Sequence, residues 1–143
     1  DAMGLYDRPF LLNGSEGFPR ELVCCTLLFN LALTNHLRGM EEQNIRFIKS
    51  ALRLYEIGAE VLLQSDEWSK GAHLLLLTCY NNIAHGYASL CIVDDYTNEI
   101  QHALVETLHH HWTSFIDEDD YAFFYLNMLV CEGGRGVLLA PAA

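Results

Sequence analysis

Apolar residues in this chain recur every three or four positions over nearly its whole length, and almost nowhere do they alternate. That period matches the 3.6 residues of an α-helical turn and leaves little room for a half-buried sheet. Pro19, Arg20 and Glu21 open a first helix, with proline in its first turn and an acid at the positive end of the dipole. Val23, Leu27, Asn30, Leu33, Thr34 and Leu37 follow at helical spacing, and Gly39 offers a stop. A second stretch places Ile45, Ile48, Ala51, Leu54, Tyr55, Gly58, Val61 and Leu62 on one face and Arg53, Glu56 and Glu60 on the other. Ser65 and Asp66 are suited to cap a third helix containing Leu76, Tyr80, Ile83, Tyr87 and Leu90. Asp94 and Asp95 begin a fourth, with Ile100, Ala103, Leu104, Thr107 and Leu108 inward. The acidic run Asp117 to Asp120 opens a fifth, which Gly133, Gly134 and Gly136 should end, leaving an irregular tail over 137–143. Five helices with short polar turns predict an antiparallel all-α array.

The chain's 143 residues suit one domain, and a hydrophobic content of 51% supplies a sizeable core. Nineteen acids against 8 bases leave a net charge of −11. Phosphate recognition needs clustered Lys and Arg, so neither nucleic acid nor an anionic membrane is an expected partner. The apolar run from Leu74 to Leu90 is broken by Asn81, Asn82 and His85, which argues against a membrane span. Cys24, Cys25, Cys79, Cys91 and Cys131 are odd in number and show no CxxC spacing. Reduced structural thiols and an intracellular setting, cytoplasmic or nuclear, are expected. The start at Asp1 reads as a cut in a longer chain, which leaves room for a targeting signal upstream.

An internal repeat decides how the helices should stack. Asn30-Leu31-Ala32, Asn82-Ile83-Ala84 and Asn127-Met128-Leu129 recur at intervals of 52 and 45 residues, with Gly39, Cys91 and Gly136 at one common offset behind them. Such a period reads as stacked helical hairpins. Asn30, Leu31, Ala32 and Gly39 resemble the first helix of a tetratricopeptide repeat, with Asn35 standing at its Tyr position, and Ala51, Tyr55 and Gly58 resemble the small–aromatic–small order of its second helix. Asn82, Ile83, Ala84 and Tyr87 fit a second unit, whose second helix departs by carrying Glu99, Ala103 and Glu106. The gap from Gly39 to Ala51 exceeds the family's by about two helical turns. Asn-Leu-Ala, Ala-Leu-Arg-Leu-Tyr-Glu, Asn-Asn-Ile-Ala-His and the terminal Ala-Pro-Ala-Ala are similar to a set of uncharacterised helical-repeat proteins of diatoms. The resemblance implies a short right-handed superhelix of hairpins: repeat 1 over 19–64, repeat 2 over 65–115 and a terminal capping helix over 117–136. Residues 1–18 would then close a preceding repeat, with Tyr6 to Leu11 as the end of its second helix.

The resemblance further implies a non-catalytic scaffold that binds a protein or peptide on the face lined by its first helices. The positions lining that face are Thr26, Phe29, Leu33 and His36 in the first unit and Thr78, Asn81, His85 and Ser89 in the second. Asn81 and His85 lie one turn apart and could hydrogen-bond an extended backbone. The alternative for Asn82 and His85 is to satisfy buried carbonyls between hairpins, and a purely structural role would have the groove filled by a neighbouring copy or by an N-terminal segment. Phe29, Leu33 and Asn81 are not basic, so a clamp for acidic carboxyl-terminal tails is not expected, and the acidic surface favours a basic partner.

The reading from a different class is a small metal-binding or hydrolytic protein using the face from His102 to His111. His102, Glu106 and His109 or His110 share one side of a helix and could hold a divalent ion, although HExxH order is absent. Asp117 to Asp120 lacks the layout of a calcium loop, and Glu132-Gly-Gly-Arg-Gly lacks the Lys of a phosphate loop. A Cys24 or Cys25 nucleophile would need a distant base such as His36 or His85. No cofactor is expected.

Overall fold

The computed structural model describes residues 3–13, 17–66, 68–115 and 117–138, of which 110–115 and 131–138 are described by backbone alone. The fold is all-α. Five helices follow in order: α1 (Arg20–Glu41), α2 (Ile45–Leu63), α3 (Lys70–Ser89), α4 (Asp95–Phe115) and α5 (Glu118–Leu138). No strand occurs among the described residues. None of the described helices is long and apolar enough to cross a membrane.

Four of the helices start on a side chain that accepts an otherwise orphaned backbone N–H. Asn44 takes the N–H of Arg46 at 3.0 Å, and Ser69 takes that of Ala72 at 3.2 Å. Asp94 and Thr97 cap each other, each side chain accepting the other's N–H at 2.9 Å. Asp117 takes the N–H of Asp120 at 2.8 Å. The cap of α3 therefore lies beyond the expected Ser65 and Asp66, and Ser69 replaces them because its extended backbone aims the hydroxyl back at the helix. α5 continues through Gly133, Gly134 and Gly136 to Leu138, where a stop was expected; residues 139–143 of the expected tail lie outside the described residues.

The first three helices run antiparallel in succession. A Cβ on Gly39 would meet Ile48, and one on Gly58 would meet Cys25, so residue numbers rise along α2 as they fall along α1. α2 and α3 pair the same way, through Leu52 against Gly86 and Tyr55 against Asn82. α1 and α3, both antiparallel to α2, therefore run in the same sense and meet at His36–His85, while Asn81–Asn127 joins α3 to α5. Thus α1, α3 and α5 lie along one side. Glu56 of α2 accepts from the hydroxyls of Tyr87 in α3 and Tyr96 in α4, at 3.0 and 3.1 Å, joining three helices with one carboxylate.

Gly39 does not end α1, which runs on to Glu41. Its role is close approach: an added Cβ would stand 2.7 Å from Ile48 Cγ1 and 2.9 Å from the Ile48 backbone nitrogen. The inward face of α1 also differs from expectation. Cys25, Thr26, Phe29, Ala32, Leu33, His36 and Gly39 are buried, whereas Leu27 is 61% exposed and Leu37 43%. Leucines occur nearly all round this helix, so periodicity alone does not select a face. The expected faces of α2 and α4 are largely kept, with Ile48, Ala51, Tyr55, Gly58, Leu62, Ile100, Leu104 and Leu108 buried.

Candidate functional site

The segment expected to end a preceding helix is extended instead. Residues 3–13 have no helical structure, and Met3 to Phe10 run across the side formed by α1, α3 and α5. Three asparagines hold them there, and they are the three of the recurring Asn-apolar motif in the sequence. Asn127 of α5 accepts the Gly4 N–H at 2.8 Å and donates to the Gly4 carbonyl at 2.9 Å. Asn82 of α3 does the same for Tyr6, at 2.9 and 2.9 Å. Asn30 of α1 does it for Phe10, at 2.9 and 2.7 Å.

A carboxamide carries one acceptor and a donor pair in the spacing of a backbone amide, so it can take the place of a neighbouring strand. An extended segment on a helical surface has no ladder of its own, and its buried N–H and C=O groups must find partners elsewhere. Here they find them on side chains.

The clamps are linked to one another. Asn127 Nδ2 donates to Asn81 Oδ1 at 2.7 Å, Asn81 Nδ2 donates to Asn82 Oδ1 at 3.1 Å, and Asn82 Nδ2 donates to the Tyr55 hydroxyl at 3.2 Å. Asn81 Nδ2 also reaches the Gly4 carbonyl at 3.1 Å. All these donors point the same way along the row, an arrangement in which hydrogen bonds polarise and strengthen each other. Asn81 and Asn82 are wholly buried, so the network is closed to water along its centre. Burial also pushes the Tyr55 hydroxyl to higher pKa, which keeps it neutral.

Side chains of the extended segment add aromatic seats. The Tyr6 ring stacks on Phe124 at 5.6 Å and 12°, and meets Phe123 edge-on at 5.6 Å. The Phe10 ring meets Phe29 edge-on at 5.2 Å, and Phe29 in turn leans on Tyr55. Asp120 lies beside Tyr6 and Arg8: its Oδ1 is 3.4 Å from the Tyr6 hydroxyl and 3.4 Å from the Arg8 guanidinium. Burial and the neighbouring Asp117 raise the carboxyl of Asp120, while Arg8 and the Tyr6 hydroxyl oppose that rise. Burial, and next the Asp120 charge, push the Tyr6 phenol up to about 12.

Of the residues expected to line this face, Phe29 and Asn81 touch the segment. Thr26, Thr78 and Ser89 donate their hydroxyls to carbonyls of their own helices, those of Leu22, Leu75 and His85, and Leu33 is packed in the core. His36 and His85 pair with each other, Nε2 to Nδ1 at 3.1 Å, and the other ring nitrogen of His36 is buried without a partner. Burial, and next His85, lower His36 to about 4, and burial lowers His85. Asn30 and Asn127 were legible only as a repeat signature, and Asn82 also as a residue that could satisfy buried carbonyls, which it does for Tyr6; their shared carboxamide was the available signal. Asp120, Phe123 and Phe124 carried none.

On the α3/α4 side, Leu63, Trp68, His73, Leu76, Tyr80 and Glu106 line part of a surface pocket of about 420 Å³. His102 Nδ1 lies 3.6 Å from Glu106 Oε1 on the exposed face of α4, and His109 is exposed. Among the described residues no three His, Cys, Asp or Glu side chains gather as metal ligands; the side chains of His110 and His111 lie outside the description. Cys25 and Cys79 are buried free thiols, while Cys24 and Cys91 are exposed and the Cys131 side chain lies outside the description. No protein-family model matches the chain, and no curated protein or solved structure matches it either.

Proposed function

We propose that the chain is a non-catalytic interaction module of tetratricopeptide-like design that takes an extended polypeptide segment on the face formed by α1, α3 and α5. One observation carries this reading: three asparagines, one from each of these helices, hold both the N–H and the C=O of single residues in an extended segment. Contacts of this kind read backbone, which every polypeptide offers, so the face suits a protein or peptide partner rather than a small molecule. The acidic start of α5 and the charge of −11 favour a basic one.

The test uses the full chain as bait for a random peptide library displayed on phage. Enriched peptides should lose binding when Asn82→Ala or Asn127→Ala is introduced, with the helical circular dichroism spectrum retained. Enrichment that is indifferent to both substitutions would overturn the proposal.

A further inference from the structure

Met3 to Phe10 cover the face that the proposed function leaves to a partner, and the details of that covering name the partner's chemistry. The inference rests on the reading of the α1/α3/α5 face as a peptide site. We infer that this segment is an in-cis ligand, and that the ligand displacing it in trans is an extended segment with the order Gly–x–Tyr–x–basic.

Each element of that order has a recognition feature. At the first position an added Cβ on Gly4 would stand 3.2 Å from Phe123 Cε2 and 3.5 Å from Asn127 Oδ1, so a larger residue must push the aromatic wall aside. At the third position the seat between Phe123 and Phe124 takes a flat ring, and Asp120, whose side chain is only 8% exposed, accepts from the ring's hydroxyl. Phenylalanine would fill the seat and leave that carboxylate short of a donor. At the fifth position Arg8 reaches the same carboxylate while its guanidinium lies 5.9 Å from the centre of the Tyr6 ring. Asp117 and Asp119 flank Asp120 at the start of α5, so an acid at this position would meet only like charge. The fourth and sixth positions are less constrained: Asp7 and Pro9 are exposed.

The segment is also suited to exchange. It is joined to α1 by the chain itself, and a tethered ligand competes at an effective concentration on the order of mM. Immediately past the last clamp, Leu11 and Leu12 are 79% and 38% exposed, so docking ends abruptly at Phe10. An outside peptide therefore meets a preformed face from which one eight-residue stretch must leave.

The probe is a fluorescein-labelled synthetic peptide of sequence MGLYDRPFLL, titrated by anisotropy against full-length chains. The unaltered chain should bind weakly, and Tyr6→Ala should bind at least about tenfold more tightly because its own segment loses its aromatic anchor. Arg8→Glu is a second variant at a side chain 67% exposed, where folding is not at stake; it should gain about threefold. Against the Tyr6→Ala chain, peptides carrying Gly4→Val or Arg8→Glu should bind several-fold more weakly than the parent. Equal affinity of all three chains for the parent peptide would overturn the in-cis competition. A scrambled peptide that binds as well as the parent, and is lost with Asn82→Ala, would overturn the sequence order while leaving the backbone-binding face intact. Binding insensitive to Asn82→Ala would remove the face itself.

Discussion

Replacing Asn82 by alanine should be among the most damaging single changes in the molecule. The side chain makes four hydrogen bonds at a wholly buried position: two with the Tyr6 backbone, one from Asn81 and one to Tyr55. Truncation strands the N–H and C=O of Tyr6, and a buried group without its partner costs about 1–3 kcal/mol. Two such groups give about 2–6 kcal/mol, a large share of the 5–15 kcal/mol typical of a domain. The loss has a ceiling, because the segment can leave the face once holding it costs more than its docking is worth. Asn30→Ala provides the comparison: Asn30 is half-buried at the edge, so the freed groups of Phe10 can reach water and the loss should be near 1 kcal/mol. Urea unfolding gives the two losses, and amide exchange locates them. Asn82→Ala should strip protection from Gly4 and Tyr6 while the middles of α2 and α3 stay protected. Equal losses for Asn82→Ala and Asn30→Ala, or unchanged protection at Tyr6, would refute the clamp as the source of docking.

Stability should fall on acidification through the buried histidine pair. The folded value of His36 is about 4 against an ordinary 6.5, so between those values the unfolded chain binds the extra proton. Stability is then full above pH 6.5, about 2 kcal/mol lower at pH 5, and still falling towards pH 4; urea titrations across this range should show the slope, and His36→Phe should flatten most of it. Two glycines should respond oppositely to alanine. Gly39→Ala drives a methyl into the Ile48 backbone and should cost about 1–3 kcal/mol. Gly58→Ala meets Cys25 Sγ at 3.4 Å, Leu28 Cβ at 3.6 Å and the Cys25 carbonyl oxygen at 3.8 Å, ordinary contact distances, so it should gain up to about 1 kcal/mol of helix propensity. Thermal unfolding distinguishes the pair, and the same sign for both would contradict the packing described. Cys91 has φ 54° behind α3, where the Ile92 N–H reaches the Tyr87 carbonyl and the Cys91 N–H reaches that of Ala88. Cys91→Gly should therefore stabilise by about 0.5–1 kcal/mol in the same assay.

The all-α fold was legible because the helical period extends through the chain, and α2 and α4 were legible in detail because one face of each is polar. α1 and α3 were not. α1 carries leucines on most sides, so its orientation is decided by which residues fit a neighbour. Phe29 fills the layer against Tyr55, and Gly39 permits the approach of Ile48. α3 lies between other helices and is buried nearly all round, including Thr78, Asn81 and Asn82, so polarity marks no outer face there. Glycines misled for a related reason. A glycine can end a helix or bring two helices together, and Gly39 does the second while Gly133 to Gly136 do not interrupt α5.

The site divides along the same physical line. Asn30, Asn82 and Asn127 stood out by recurrence, since each of three helices places one against the same extended segment. Their partner left no such mark. A segment held by its backbone needs no pattern of its own, and Gly4, Tyr6 and Phe10 lie 123, 76 and 20 residues from the asparagines that hold them. Tyr6 and Pro9 could therefore fit the aromatic and small positions of a helix end on paper. Inside that segment, however, Pro9 has no N–H to give and biases Arg8 towards extended backbone. With Gly4 also a poor helix former, the stretch favours the extended form that the carboxamides require. The same three asparagines thus account for the repeat seen in the sequence and for the unhelical segment crossing it.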